Sequence, residues 1–302
     1  MLHAVTGTRV DAAQFARDTT VHQLKAQLAL RFESSAGRTQ MHCDVQEPPW
    51  KVVRAFRQTN GSVLVHLHNL SGGVLAGDSL GLRIDVGAGA AAQVTTTGAT
   101  RLYRHREGAE ISEQRTLISV GEDGLLEYLP DALIPFAGSR HEQSTTVTLG
   151  DRATFFWWEV LAPGRQAMGE AFAYDRLRVE NSLRSQTRPL LLENFCLEPR
   201  LRPLQSTSRM GGYLHAANLY AIGIGRPAAD LRVLESKLNE IANEVSRPGS
   251  IIWGASALAA DGVVVRGLSA TPRDLPATLI RFWSTARRFL TGEEAVPPRK
   301  LK

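Results

Sequence analysis

The class of fold follows from one segment near the N-terminus, which reads Leu24-Lys25-Ala26-Gln27-Leu28-Ala29-Leu30-Arg31-Phe32-Glu33. Apolar residues fill every second position from Leu24 to Phe32, and charged or amide side chains fill most of the positions between them. Successive side chains of a β-strand point to opposite faces, so this alternation predicts a strand with one buried face.

Further segments with the same period of two are separated by glycine-containing turns, and they lie at residues 63–70, 80–86, 111–120 and 145–149. Nothing between them is long or periodic enough to be a helix that connects parallel strands. We therefore expect a mainly β fold, in which residues 20–200 form a single β-rich body of many short, largely antiparallel strands.

Helical periodicity appears only after this region. The first predicted helix has one apolar face, made of Leu231, Leu234, Leu238, Ile241, Ala242 and Val245. The second has a similar face and ends at Gly292; its apolar residues are Leu275, Leu279, Phe282, Ala286 and Phe289. Between them, Asp261-Gly262 predicts a β-hairpin. Both helices are expected to pack on the β body, in a single domain over residues 1–302 with flexible ends at about 1–20 and 293–302.

The composition excludes several classes of protein. No apolar run approaches the roughly 18 residues that span a bilayer, and charges within the first 20 residues leave no apolar core for a signal peptide. Cys43 and Cys196 are too few and too far apart for a disulfide framework or a Cys-rich zinc site. A cytoplasmic protein with no membrane partner is expected. The net charge of +5 is spread along the chain, so nucleic-acid binding has little support.

Motifs that mark catalysis are missing from the sequence. Neither Gly-x-Ser-x-Gly nor His-Glu-x-x-His occurs, and the two cysteines lack the local patterns of thiol enzymes. The glycines of residues 72–79 are spaced like those of a phosphate-binding loop, but Asp78 stands where a lysine would contact the phosphates. We interpret that segment as a tight turn, and we do not expect the chain to be an enzyme.

Two segments carry carboxylates in settings that are unusual for a plain sheet. Glu127 and Asp131 lie in a mostly apolar run that is interrupted by prolines, and Glu170 directly follows a glycine. Acids in such places either pair with arginine, which is abundant in this chain, or supply oxygen ligands along the path of a cation. The residues alone leave both interpretations open.

Four motifs, in this order, resemble the urease accessory proteins of the UreD or UreH family. They are HNLSGGVLAGD at 68–78, VTTTGATRLYR at 94–104, EYLPDALIPF at 127–136 and GRQAMGEAF at 164–172. The resemblance is dense over residues 60–175, and the late pair of helices agrees with it. It implies a β-rich body of a fold particular to this family, and a role without catalysis.

The resemblance also implies partners and a cargo. Proteins of this family act as a scaffold between apo-urease and two other accessory proteins, a UreF-type adaptor and a UreG-type GTPase, during nickel delivery. A water-filled internal passage is thought to carry the metal, so no tightly bound cofactor is expected, only nickel(II) in transit. The candidate ligands of the passing ion are the carboxylates within the matching motifs, namely Asp78, Glu127, Asp131 and Glu170.

Two further expectations concern surfaces. On the last helix, Arg281, Arg287 and Arg288 are expected to face outward toward a partner protein while the apolar face packs on the sheet. The alternative function is a nucleic-acid- or carbohydrate-binding β protein, which is supported only by the basic charge and by Trp157 and Trp158.

Overall fold

The structure is a computed structural model that describes residues 24–298. The predicted flexible segment 1–20, and residues 299–302 of the other end, lie outside the described residues. The elements of the first half are strands β1 (Lys25–Ser35), β2 (Arg38–Gln46), β3 (Trp50–Lys51), β4 (Ala55–Arg57), β5 (Val63–Asn69), β6 (Ser79–Val86), β7 (Ala91–Thr96), β8 (Thr100–Leu102), β9 (Ser112–Val120), β10 (Leu125–Leu129), β11 (Leu133–Pro135) and β12 (Arg140–Leu149). The second half contains β13 (Thr154–Leu161), β14 (Arg176–Ser185), β15 (Pro189–Leu197), β16 (His215–Gly223), helix α1 (Ala228–Val245), β17 (Ile251–Ala257), β18 (Gly262–Ser269) and helix α2 (Leu275–Thr291).

The strands form two sheets that face each other. The smaller sheet has the strand order β15-β14-β12-β9-β6-β1-β2. The larger sheet follows the order β17-β18-β16-β13-β10-β7-β5-β3, and β4, β8 and β11 pair beside this path. Buried side chains of both sheets belong to one apolar cluster, for example Leu28 and Leu82 of the smaller sheet and Val65 and Leu126 of the larger. The predicted mainly β class is confirmed.

The strands were expected to be largely antiparallel, but many neighbouring strands are parallel. From β5 to β14 the chain crosses repeatedly between the two sheets, so it returns to each sheet running in the same direction. The successive neighbours β6, β9, β12 and β14 are therefore parallel, as are β5, β7, β10 and β13. Antiparallel pairing joins β1 to β2 and β14 to β15 at the two edges of the smaller sheet, and it joins β13, β16, β18 and β17 in the larger sheet. The second sheet takes the place of the crossover helix, which is why parallel strands form without helices.

The turns that connect the sheets are stacked on one another. The Gly121 amide donates to the Val86 carbonyl at 2.7 Å, and the Gly150 amide donates to the Val120 carbonyl at 2.8 Å. A Cβ atom at either glycine would lie 2.9 Å from a backbone atom of the preceding turn. Such a contact is too close, so the turns predicted around Gly121 and Gly150 need glycine to stack.

The two helices cover the outer face of the larger sheet, as predicted. Their apolar faces share one buried cluster with that sheet; the cluster includes Leu234 and Leu238 of α1, Phe282 and Trp283 of α2, and Phe156 of β13. The predicted hairpin joins β17 to β18 and turns at Asp261. No helix within residues 24–298 is long and apolar enough to cross a membrane.

Candidate functional site

The interior between the sheets is apolar at one end and polar at the other. On β12 the inward side chains are His141, Gln143 and Thr145, and only then Val147 and Leu149. The neighbouring strand β9 repeats this order in register, because Ser112, Gln114 and Thr116 precede its two inward apolar residues. Polar inward side chains cannot fill a core by apolar contact, so this end of the sandwich has room for a polar cavity.

A cavity of about 250 Å³ occupies the polar end. Both sheets contribute to its wall, and its polar lining includes Gln114, Thr116, Gln143, Thr145, Glu159 and Asn218. A space between the sheets with several polar partners is suited to ordered water and to small hydrated ions.

Glu159 of β13 is the centre of the hydrogen bonding on the cavity wall. Its carboxylate accepts from the amide of Asn181 at 3.2 and 3.4 Å, and its Oε2 lies 3.1 Å from the Tyr220 hydroxyl. Burial, followed by the negative charge of Glu193, raises the pKa of Glu159 to about 7, and the hydrogen bonds from Tyr220 and from amide groups oppose this shift. A carboxyl group with such a pKa exchanges its proton near neutral pH.

Tyr220 links Glu159 to a second carboxylate. Its hydroxyl lies 2.6 Å from Oε2 of Glu193, and its ring stacks on Trp157 with 4.8 Å between ring centroids. Arg266 of β18 pairs with the other oxygen of Glu193. The phenol itself is fully buried, so its orientation is fixed by packing.

Of the four predicted metal-binding carboxylates, only Asp131 lines this cavity. It follows β10, and its Oδ2 accepts from the Thr96 hydroxyl at 3.0 Å. The Asp131 amide donates back to the same hydroxyl oxygen at 2.8 Å. This reciprocal pair fixes the loop beside the cavity and holds the carboxylate at its wall.

Glu127 lies on the opposite face of the larger sheet, where it forms a buried ion pair with α2. Nε of Arg287 donates to Glu127 Oε1 at 2.7 Å, and Gln93 donates to Oε2 at 2.7 Å. The sequence left two interpretations open for Glu127, pairing with arginine or a ligand on the path of a cation. The structure shows the pairing with arginine.

The expectation that Arg287 faces outward is wrong. Its side chain is 1% exposed, because it shares the buried face of α2 with Trp283 and Leu290, four positions before and three positions after it. Arg281 and Arg288 are exposed, as expected, and pair at the surface with Glu244 and Glu294.

Arg287 also donates to the Glu294 carbonyl at 2.7 Å. This bond holds the described part of the predicted flexible segment 293–302 against the body.

Asp78 and Glu170 have partners of their own away from the cavity wall. The buried Asp78 carboxylate accepts from the Leu75 amide at 2.8 Å, which closes the turn predicted there, and burial raises its pKa. Glu170 pairs with Arg165, which lowers the pKa of Glu170. The four carboxylates do not form one cluster. Within residues 24–298, no group of three or more His, Cys, Asp or Glu side chains is placed to hold a metal ion.

Sequence reasoning missed Glu159, Tyr220 and Asn181. The signal was present in the inward positions of β13, where Phe155 and Trp157 are followed by a glutamate, and in the three polar inward residues of β12. A break in the apolar alternation within a strand that is otherwise buried marks an internal polar site.

The two tryptophans that supported nucleic-acid or carbohydrate binding are buried. Trp157 is 1% exposed within the sandwich, and Trp158 packs against Trp283 while its indole donates to the Pro130 carbonyl at 2.8 Å. Neither ring is free to stack on a base or a sugar, so the structure removes this support for the alternative function.

Comparison with known proteins identifies the family. A family model described as UreD urease accessory protein matches residues 24–302. A urease accessory protein UreD of Herpetosiphon aurantiacus is 41% identical over 283 residues, which cover 94% of this chain and 98% of that protein. UreD proteins of Deinococcus radiodurans and Cenarchaeum symbiosum are each 34% identical, and each match covers 81% of this chain and 83% or 85% of the relative. The chain therefore belongs to the UreD urease accessory protein family.

Proposed function

We propose that this protein links apo-urease to a UreF-type adaptor and a UreG-type GTPase, and that nickel(II) passes through its cavity toward the urease active site. Membership of the UreD family makes the chain a non-catalytic factor of urease maturation. The observation that supports the passage is the polar cavity between the sheets, with Glu159 and Asp131 in its wall.

The chemistry of the wall suits an ion in transit. Carboxylate, amide and hydroxyl oxygens are acceptable ligands for nickel, and thiolates, which would hold it more strongly, do not line the cavity in the described part of the chain. A conduit needs weak sites at which the ion can exchange ligands with water. The isolated chain is accordingly proposed to hold no nickel tightly.

Co-purification tests the scaffold. The tagged full-length protein is expressed with the urease subunits, the adaptor and the GTPase, and captured from the lysate. The proposal requires urease subunits and adaptor in the captured complex, and inactive urease when this chain is omitted. Full urease activity without the chain, or no co-purification of urease at any salt concentration, would contradict it.

The role of the cavity is tested in the same system with Asp131→Asn, which removes the charge and keeps the shape. The variant should still assemble with urease, and urease activation should fall at limiting nickel. Glu240→Gln on the exposed side of α1, away from the cavity, is the matched control and should activate urease normally.

A further inference from the structure

The two ends of the sandwich are built differently. At one end the chain crosses between the sheets through short glycine turns, at residues 87–90, 121–124 and 150–153. At the other end it crosses through longer connections, at residues 70–78, 97–111, 130–139 and 162–175. Each of the four sequence motifs has residues in one of these longer connections. The short turns show that packing of the two sheets does not require connections of such length.

The end with the longer connections exposes large apolar side chains. Met168 is 71% exposed, Leu70 66% and Leu75 43%. Among the described residues, the three short glycine turns expose no large apolar side chain. Apolar side chains that are exposed together at one end of a molecule indicate a surface for another protein.

Side chains of these connections meet in one patch, which we call the loop-end patch. The rings of Tyr103 and Phe136 pack edge to face, with 5.2 Å between their centroids, and the Arg165 guanidinium lies 4.4 Å from the centroid of the Phe136 ring. Met168 lies in the same short turn as Arg165, where its amide donates to the Arg165 carbonyl at 2.8 Å. The loop-end patch consists of Arg101, Tyr103, Arg104, Phe136, Arg165 and Met168.

The backbone beneath the loop-end patch is fixed by close contacts. The Val74 amide donates to the Arg101 carbonyl at 2.7 Å. A Cβ atom at Gly73 would lie 2.4 Å from the same carbonyl oxygen, and one at Gly164 would lie 2.2 Å from the Glu170 carbonyl oxygen. A surface that is already ordered loses little conformational entropy when a partner binds.

Two exposed arginines of the patch are positioned by main-chain carbonyls. Nη1 of Arg101 donates to the Gly72 carbonyl at 3.2 Å, and Nε of Arg104 donates to the Ala137 carbonyl at 3.4 Å. Neither arginine forms an ion pair with a carboxylate of the described residues. Their other N–H groups can therefore bind carboxylates of a partner.

The charge of the patch differs from that of the opposite end. There, Arg152 is paired with both Glu122 and Asp123. In the loop-end patch, Glu170 is the carboxylate that pairs with an arginine, and Arg165 binds both of its oxygens. The other two guanidinium groups leave the patch positive, so it attracts an acidic surface.

We propose that the loop-end patch docks an acidic surface of apo-urease. Carboxylates of the partner pair with Arg101 and Arg104, and Met168 and Tyr103 make the apolar contact; these residue types are enriched in protein–protein interfaces. The exposed apolar side chains favour a protein over a nucleic acid, which presents mainly phosphates. The exposed side of α2, on the outer face of the larger sheet, is left to the adaptor. The inference deepens the proposed scaffold and rests on it for the identity of the partner.

Charge reversal tests the patch in the co-purification system. Arg101→Glu/Arg104→Glu should capture about tenfold less urease than the wild type near physiological salt, because two attractive contacts become repulsive. The adaptor should be captured in full. Arg232→Glu is the matched control, because Arg232 is exposed on α1 and forms no ion pair within the described part of the chain. This control should capture both partners.

A second variant removes the apolar contact and keeps the charges of the patch. Met168→Asp should also lower the capture of urease, whereas Val233→Asp on the exposed side of α1 should not. Both side chains are exposed, so neither substitution removes a core contact. The melting temperature and the retained adaptor show that each variant is folded.

Capture of urease at the wild-type level by both patch variants would overturn the inference. Loss of the adaptor with urease retained would overturn it as well. A labelled single-stranded DNA oligonucleotide that binds the wild type but not Arg101→Glu/Arg104→Glu would assign the patch to nucleic acid, against the inference. If the wild type itself captures no urease, the proposed scaffold fails together with this surface, whereas equal capture by wild type and variants contradicts the surface alone.

Discussion

Arg287 and Glu127 connect helix α2 to the larger sheet through charges that are almost fully buried. Removing one partner leaves the other charge buried and unpaired, so Glu127→Gln or Arg287→Met should each lower the free energy of unfolding by about 3–5 kcal/mol. Urea denaturation measures the loss. Arg288→Met is the control on the exposed side of α2 and should change stability by less than about 0.5 kcal/mol. The double variant Glu127→Leu/Arg287→Met should recover much of the loss, and single variants that lose under 1 kcal/mol would contradict this structural role.

Glu159 predicts a pH dependence of stability with a definite sign. Its pKa is about 7 in the folded protein against an ordinary 4.5, so the folded state binds more protons between these values. The group therefore stabilises the fold below pH 4.5 and loses this contribution as the pH rises through 7. From pH 5 to pH 8, Glu159→Gln should gain up to about 3 kcal/mol in unfolding free energy relative to the wild type. A difference that is independent of pH in urea titrations would contradict the raised pKa.

At the scale of elements, the exposed side of helix α2 remains the candidate surface for the adaptor. Arg281 and Arg288 are exposed and form only surface ion pairs, which contribute little to folding. Reversing both to glutamate should weaken adaptor binding in a pull-down and lower the melting temperature by no more than a few degrees. Unchanged adaptor binding would assign these arginines to a solvated surface, and a collapse of the fold would show that the helix depends on them.

The elements also show what local sequence determines. The period of two in β1, the Asp-Gly hairpin and the apolar faces of α1 and α2 depend on neighbouring residues, and each was predicted. The inward position of Arg287 was not predicted. Its partner Glu127 lies 160 positions away in the sequence, so no local pattern indicates that this charge is buried. Its position within the buried face of Trp283 and Leu290 was readable, but Glu127 was needed to make that burial favourable.

At the scale of the whole molecule, the alternation between two sheets is what creates the cavity. Two successive crossings of the chain add one strand to each sheet, and a polar inward residue at the same level of successive strands opens the space between them. The parallel order could not be predicted from local patterns, because the residues of one strand do not indicate which sheet the next strand joins. The cavity could have been found from the polar inward residues of β9 and β12, but only Asp131 among the predicted carboxylates lies in its wall.

The most direct test of nickel passage is to obstruct the cavity from one strand. Gln143 points into the cavity from β12, whereas Thr146 of the same strand is exposed on the outer face. Gln143→Trp and Thr146→Trp are each expressed with the urease operon, and the nickel content of the purified urease is measured at equal amounts of assembled complex. The passage predicts wild-type nickel content with Thr146→Trp and a large loss with Gln143→Trp. Full nickel content with both variants, in complexes that assemble normally, would contradict it.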